Sequence, residues 1–449
     1  MAARSTGACA ASMWLNDLIV GQYRSLQPQE RKRTLLLSIY FFLIIATFWI
    51  LKPLKRGVII HYFAQHPMDI FGWEIRGAEA EQIAKILNLI AAYFAAAFFI
   101  LLARRLPRGR LVPVCAAMFA GASLFYASVI DRPSDWIVWT FYIFGDMFNT
   151  VMVALFWAFT NDIATSEEAR RTYGPIGLGG VLGGFLGATV VASSVQDAGR
   201  APLLVFCVVP LALIAAIAYT VDRLSHPPGP QQVPAVPAAD SRGGGTRAVL
   251  ASPYLQYLAG IIACYELVSN IIDFQLAATI ERSVSSSLRK DVIFGILGQL
   301  TGLGSIAVQL FGTGFVLRRF GVRAGLLVLP LTVLASAAGF LVVPTLLLVA
   351  AMSVSDNALN YSIHQSSKEV LYTPVDSSTL FQAKAVVDMF VQRFAKVLSV
   401  VLNLAFAAVA GAGVHWLSLV SICVLFGWIH LARRAAENFE QRIAARTGA

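Results

Sequence analysis

The chain has 449 residues, of which 57% are hydrophobic and only 13% charged, and its mean hydropathy is +0.68. Soluble domains carry about 25% charged residues, so this composition excludes an ordinary soluble domain and indicates an integral membrane protein. The net charge of +10 fits Lys and Arg on cytoplasmic loops better than it fits a nucleic-acid partner. We therefore expect the lipid bilayer as a partner, and no nucleic acid.

Apolar runs long enough to cross a bilayer, about 20 residues each, predict twelve membrane-spanning helices. In the first half of the chain they are expected at about 34–60, 84–103, 111–130, 136–163, 172–194 and 201–221. In the second half they are expected at about 254–281, 289–317, 323–343, 345–372, 380–404 and 413–434. The predicted fold is an all-α integral membrane protein with about twelve transmembrane helices in two six-helix bundles.

A Pro- and Gly-rich stretch between the halves predicts a flexible linker, because it contains too little apolar surface to form a core. The predicted domains are a tail at 1–33, a bundle at 34–221, the linker at 222–250, a second bundle at 251–434 and a tail at 435–449. Basic clusters at 31–33, 104–110, 170–171, 223–247, 318–323 and 433–434 all fall on one side of this topology. That side is expected to be cytoplasmic, with both termini inside, most simply in a bacterial inner membrane.

Two lysines lie in the first predicted span. Lys52 and Lys55 are three residues apart and therefore share a helix face. Pro53 between them is expected to break or kink the helix, because proline removes a backbone donor. The lysines either line a polar path or extend to the outer interface of the membrane, and their position alone leaves both interpretations open.

Asn161 and Asp162 lie at the end of the fourth predicted span. Polar groups at that depth are costly in lipid and face protein or water instead. Asp162 either lines a central cavity or pairs with Arg170 or Arg171 in the loop that follows.

Polar residues also recur at helical spacing in the second half. Glu266, Asn270 and Asp273 fall on one face of the seventh span, which we expect to line a water-filled path, a buried salt bridge being the alternative. Two further stripes occupy the tenth and eleventh spans: Asn357, Asn360, His364 and Lys368, and Lys384, Asp388, Gln392 and Lys396. Lys384 and Asp388 are also placed to form an intrahelical ion pair.

Lysines thus occur within the predicted spans of both halves, and lysine binds phosphate as a point charge. The sequence has no P-loop, GxGxxG, HExxH or nucleophile-elbow motif, so no cofactor and no metal site are predicted. The glycines at 177–180 open a span, where we expect them to permit close helix packing.

The stretch 156–179 resembles the segment F-A-N-E-I-T…E-A-K-R-F-Y…F-G-L-G of the ATP/ADP carrier family of plastids and intracellular bacteria. Shorter stretches resemble other motifs of the family in the same order: LKPLK at 51–55, NIID at 270–273, SKEVLYTPVD at 367–376, KAVVD at 384–388 and RFAK at 393–396. The resemblance implies a major-facilitator-like fold and nucleotide transport. It places the four charged residues essential to the family at Lys55, Asp162, Asp273 and Lys396, the two acidic positions being Asp where the family has Glu.

The predicted function is a secondary transporter that exchanges ATP for ADP, or a related nucleotide, by alternating access. Its predicted substrate-binding residues are the four carried over from the family together with Lys52, Asn161, Asn270, Asn360 and Lys384. A proton-coupled importer of nucleotides or other organic anions is the alternative within the same fold. A membrane-embedded enzyme and a non-transporting sensor are alternatives from other classes, and the sequence leaves the nucleotide and the oligomeric state open.

Overall fold

A computed structural model describes residues 28–70, 72–106, 108–163, 166–224, 249–372, 374, 386–409 and 413–447, and almost all of them are helical. Most of the predicted N-terminal tail and most of the predicted linker lie outside the described residues. The predicted C-terminal tail continues the last helix as far as Thr447.

The first half contains seven helices and a short hairpin among the described residues. They are α1 (Pro28–Gln65), β1 (Met68–Ile70), β2 (Trp73–Ile75), α2 (Gly77–Arg105), α3 (Arg108–Val129), α4 (Asp135–Ile163), α5 (Ser166–Ala198), α6 (Arg200–Phe206) and α7 (Val208–Leu224). The strands pair antiparallel, with Met68 opposite Ile75. The turn is closed by Gly72, whose φ is 82° and whose N–H donates to Oδ1 of Asp69.

The second half is also helical, with three π-helical turns inserted among the described residues. It comprises α8 (Pro253–Ser283), α9 (Ser287–Ala307), π1 (Val308–Thr313), α10 (Gly314–Val342), α11 (Leu346–Leu359), π2 (Asn360–His364), α12 (Gln365–Leu371), π3 (Val387–Val391), α13 (Gln392–Val409), a 3₁₀ turn (Val414–Trp416) and α14 (Leu417–Thr447). Such π turns occur often at functional positions, and π2 begins at the predicted site residue Asn360.

Over the described residues, every predicted span is helical except for Cys207 in the sixth span and single residues at the ends of some spans. Eight helical stretches of the described chain are long and apolar enough to cross a membrane. One of them, Ser287–Val342, covers two predicted spans, and the direction of the chain changes inside it at Gly321, whose φ is 76°. Pro53 was expected to break or kink the helix. The break is wrong, because α1 continues through that residue to Gln65, and the kink stays a prediction.

The described residues belong to two compact units. The first draws on Met1–Lys55 and Ile90–Pro234, and the second on Arg56–Leu89 and Ala235–Ala449. Helix α1 therefore passes from the first unit to the second after Lys55, and α2 returns to the first unit at Ile90. The division of the chain into predicted bundles at 34–221 and 251–434 stays a prediction.

Within the first unit, α1 and α5 approach closely along a row of glycines. A Cβ at Gly179, Gly183 or Gly187 would collide with the backbone of α1 at Ser38, Phe42 and Ala46 respectively. Only a residue without a side chain permits this approach, as in other membrane helix pairs. The expected packing role of this glycine-rich stretch is confirmed at Gly179.

Within the second unit, the first turn of α2 is held by a carboxylate from α8. Glu281 accepts hydrogen bonds from the N–H groups of Gly77 and Ala78, at 3.2 and 2.7 Å. These are two of the four N–H groups that a helix leaves without an intrahelical partner, and the negative charge also suits the positive end of the helix dipole. The cap fixes the start of α2 against α8 and so orients the charged side chains one turn further along.

Candidate functional site

Lys55 is buried in the first unit beside a carboxylate. It lies on α1 with 3% of its surface exposed, and its ammonium forms an ion pair with Asp146 of α4. The same nitrogen lies 4.1 Å from the centre of the Tyr142 ring, a cation–π distance. Gly145 leaves room for the lysine stem, since a Cβ there would meet its Cδ. Lys55 is thus a preorganised cation whose counter-charge comes from a neighbouring helix.

Lys52 lies one turn earlier on α1 and is half-buried. Its ammonium lies 4.3 Å from the centre of the Trp49 ring and 6.0 Å from that of Phe48. Aromatic faces stabilise an ammonium in this way both inside a protein and at a membrane interface. Both interpretations of Lys52 therefore remain predictions.

The corner between α4 and α5 contains two more predicted residues. Asn161 is exposed, and its side-chain oxygen accepts a hydrogen bond from the Tyr173 hydroxyl. Close by in sequence, Glu168 pairs with Arg33 of α1 at 2.9 Å. The side chains of Asp162, Arg170 and Arg171 lie outside the described part of the chain, so the pairing expected for Asp162 stays a prediction.

Asp273 of α8 lies at the centre of a charged cluster in the second unit. Its Oδ1 is 2.8 Å from Nη1 of Arg56, and its Oδ2 is 2.5 Å from Nζ of Lys85. Arg56 also pairs through Nε with Glu81, at 2.6 Å. We call Arg56, Glu81, Lys85 and Asp273 the α8 charge cluster. Two interpretations were given for Asp273, a water-filled path and a salt bridge. The structure contains the salt bridge.

Arg56, Glu81 and Lys85 were missed by sequence reasoning. Arg56 directly follows Lys55, and Glu81 and Lys85 are four residues apart at the start of α2, a spacing that brings side chains onto one face. That spacing could have identified Glu81 and Lys85 as a pair. They were overlooked because the second span was predicted to begin at residue 84, whereas the helix begins at Gly77.

Glu266 and Asn270 continue the polar face of α8 beyond Asp273. Glu266 accepts a hydrogen bond from the Gln392 amide at 2.5 Å, and the Asn270 amide donates to the carbonyl of Glu266 at 2.8 Å. Asn403 of α13 bridges the backbone carbonyl of Asn270 and the side chain of Gln82, both at 3.3 Å. The structure thus joins this polar face of α8 to the stripe on the eleventh span through the hydrogen bond between Glu266 and Gln392.

Asp356 and His364 are two buried polar groups beside this face. Asp356 is 1% exposed and accepts a hydrogen bond from Ser269 at 2.7 Å, while its other oxygen has no hydrogen-bond partner among the described residues. The His364 ring contacts the rings of Tyr265 and Trp428, with centroids 5.7 and 5.5 Å away. Asn360 lies between Asp356 and His364 in sequence and begins π2.

The last predicted residues belong to the eleventh span. Lys396 is exposed on α13, and its backbone carbonyl accepts from Ser399. Lys384 and the side chain of Asp388 lie outside the described residues, so their ion pair stays a prediction. Within the described ranges, no group of three or more His, Cys, Asp or Glu residues could hold a metal ion.

The chain is similar in sequence to carrier proteins of bacteria and plastids. The ADP,ATP carrier protein 1 of Chlamydia muridarum is 26% identical over 364 residues, which cover 70% of this chain and 69% of that protein. The ADP,ATP carrier protein 2, chloroplastic, of Arabidopsis thaliana is 21% identical over 341 residues, which cover 68% of this chain and 55% of that protein.

The fold is similar to that in the crystal structure of the nucleoside transporter NupG. The TM-score is 0.61 with 14% sequence identity, and the match covers 92% of this chain and 99% of that one. At this identity the likeness shows the fold alone, and it confirms the predicted all-α, two-bundle, major-facilitator-like membrane protein. The chain also matches the model of the TLC ATP/ADP transporter family over residues 84–209 and 241–439. The protein is therefore a multi-pass membrane transporter that belongs to the TLC ATP/ADP transporter family.

Proposed function

We propose that this protein is a secondary carrier that exchanges ATP for ADP, or for a related nucleotide, by alternating access. The observation that carries the proposal is the family match over 84–209 and 241–439. We further propose two helical bundles, at 34–221 and 251–434, joined by a flexible linker at 222–250. The carrier would lie in a bacterial inner membrane with both termini in the cytoplasm, as the distribution of Arg and Lys favours.

In this proposal Lys55 and Lys396 contact phosphate groups, while Asp162 and Asp273 balance the lysines or orient the base and ribose. The surroundings of Lys55 support its role. A buried ammonium requires a counter-charge, which Asp146 supplies here and a phosphate can supply equally well. The other predicted residues, Lys52, Asn161, Asn270, Asn360 and Lys384, are proposed as further polar contacts along the path.

The test is exchange in liposomes that contain the purified protein and are preloaded with labelled ATP. External ADP should release the label, while AMP and adenosine should release it poorly, because only a di- or triphosphate offers charge to both lysines. Liposomes without protein control for leakage. Equal release by adenosine would exclude the role in phosphate binding.

A proton-coupled importer of nucleotides or other organic anions is the second candidate, and Asp356 is the observation that favours it. This buried carboxyl has one hydrogen-bond donor, Ser269, and an oxygen without a hydrogen-bond partner in the described part of the chain. A carboxyl with so little compensation for its charge is suited to bind a proton. Uptake into unloaded liposomes that depends on an imposed pH gradient, and no longer does so in Asp356→Asn, would favour this candidate over exchange.

A further inference from the structure

We propose that Arg56 and Lys85 form a binding site for a phosphate group of the substrate, and that Asp273 is a built-in carboxylate that the phosphate displaces. The inference rests on the proposed nucleotide transport and deepens it, because it adds two phosphate-binding residues and assigns Asp273 the balancing role. All three side chains belong to the second compact unit.

The charge balance of the α8 charge cluster is the first argument. The side chain of Glu81 is 1% exposed. It forms an ion pair with Nε of Arg56 at 2.6 Å and accepts a hydrogen bond from Nη2 of Arg56 at 3.2 Å. Glu81 therefore compensates Arg56, and Asp273 compensates Lys85. One buried ion pair would be enough to hold these helices together. The second cation, Lys85, has a side chain that is only 10% exposed, and its burial therefore requires another explanation.

The geometry around Asp273 is the second argument. Each oxygen of its carboxylate contacts a different cation, Arg56 on one side and Lys85 on the other. A phosphate group presents oxygens to Arg and Lys in the same manner, often with paired contacts. Phosphate can thus replace the carboxylate while the two cations stay where they are.

Arg56 is held in place by other groups, whereas Asp273 is accessible. The guanidinium of Arg56 is fixed by Glu81 and lies 4.5 Å from the centre of the Phe294 ring. The side chains of Arg56 and Lys85 are 9% and 10% exposed, against 31% for Asp273. The carboxylate is therefore the member of the cluster that can most easily turn toward water. Arg56 and Lys85 would then remain as a preorganised binding site for an anion.

One further donor lies near Lys85. Gln82 precedes Lys85 by one turn of α2, and its side-chain N–H₂ group is buried without a hydrogen-bond partner in the described ranges. Buried donors are seldom left unpaired. A substrate oxygen bound beside Lys85 is a suitable acceptor for this group.

The experiment measures binding of ATP and of inorganic tripolyphosphate to the purified full-length protein in lipid nanodiscs by isothermal titration calorimetry. Lys85→Gln should weaken both ligands about tenfold or more, since each loses a charge-assisted hydrogen bond. This variant leaves Asp273 paired with Arg56, so the fold is expected to be retained. Asp273→Asn should tighten binding of tripolyphosphate several-fold, because the internal competitor is neutralised while both cations remain.

Arg76→Gln is the matched control. It removes the same charge from the same unit, but Arg76 is 62% exposed at its side chain and pairs only loosely with Glu74, at 3.5 Å. It should leave both affinities unchanged. If it weakens binding as much as Lys85→Gln does, the effect comes from overall charge and the inference is wrong.

The other outcomes separate this inference from the proposed function. Unchanged ATP and tripolyphosphate binding in Lys85→Gln, or weaker tripolyphosphate binding in Asp273→Asn, would overturn the inference while nucleotide exchange by the wild type stands. A wild type that binds tripolyphosphate through Lys85 but neither binds nor exchanges nucleotides would retain the anion site and overturn the proposed function.

Discussion

Replacing Lys55 by Gln separates a structural role of this lysine from a role in transport. The side chain is almost fully buried on α1, forms an ion pair with Asp146 of α4, and lies over the Tyr142 ring. Gln keeps a similar length and removes the charge. Lys55→Gln therefore leaves Asp146 as a carboxylate that has lost this cation.

The expected loss of stability follows from the burial of the pair. Removing one partner of a buried ion pair costs about 3–5 kcal/mol, because the other charge stays behind uncompensated. The side chain of Asp146 is 22% exposed, so water can compensate part of that cost, and we expect a value near the lower end, about 3 kcal/mol. In Lys55→Gln/Asp146→Asn both groups are neutral and the amides can bond to each other. Its stability should return to within about 1 kcal/mol of the wild type.

The variants should rank differently in nucleotide affinity than in stability. If Lys55 binds a phosphate, Lys55→Gln loses a charge-assisted hydrogen bond to the nucleotide, which is worth about 1.5–3 kcal/mol or roughly tenfold or more in affinity. The double variant lacks the same ammonium, so its affinity should stay low although its stability is restored.

Two measurements on the same preparations test this reasoning. Unfolding in detergent is followed by labelling of the buried thiols of Cys115 and Cys207, and exchange is measured in liposomes that contain equal amounts of protein. Wild-type affinity and rate in the double variant would show that Lys55 only stabilises the fold. Wild-type stability in Lys55→Gln would show that the pair with Asp146 contributes nothing.

Three further predictions concern the fold and topology. Gly187→Ala should cost about 1–3 kcal/mol through overpacking against α1, whereas Gly121→Ala, where a Cβ meets nothing within 4 Å, should cost nothing; equal thermal stabilities would refute the glycine contact. Reporter fusions at Pro230 and after Arg434 should read as cytoplasmic, and a reading from the opposite side of the membrane would overturn the orientation. A deletion of 231–238 should leave exchange largely intact, because a Pro- and Gly-rich tether mainly sets a distance; loss of flux at normal membrane abundance would make the linker part of the mechanism.

The positions of the helices could be predicted from the sequence because they depend on a local property. A run of about 20 apolar residues satisfies its backbone only as a helix within a bilayer, wherever the run occurs in the chain. Helix ends were less accurate. The two polar turns that begin α2 at Gly77 are stabilised by Glu281 of α8, a contact that nothing near residue 77 in the sequence reveals.

The α8 charge cluster could not be predicted for the same reason. Asp273 was identified by its place on a polar helix face, but its partners lie 217 and 188 residues earlier in the chain. Lys55 was likewise identified without its partner, because Asp146 lies on another helix, α4. The sequence thus reveals which charges are costly in a membrane, whereas their pairing depends on how the helices pack.

Both compact units compensate buried cations with carboxylates of their own. Lys55 has Asp146 in the first unit, and Lys85 has Asp273 in the second. Without these carboxylates, several kcal/mol per buried charge would oppose insertion and folding. The same carboxylates compete with any anion that approaches the cations, so a phosphate that binds these cations, as proposed, would displace a carboxylate and thereby change the contacts between helices. If the proposed exchange is correct, this competition links nucleotide binding to helix movement, because an incoming phosphate that weakens the Asp273 pairs also loosens the attachment of α2 to α8.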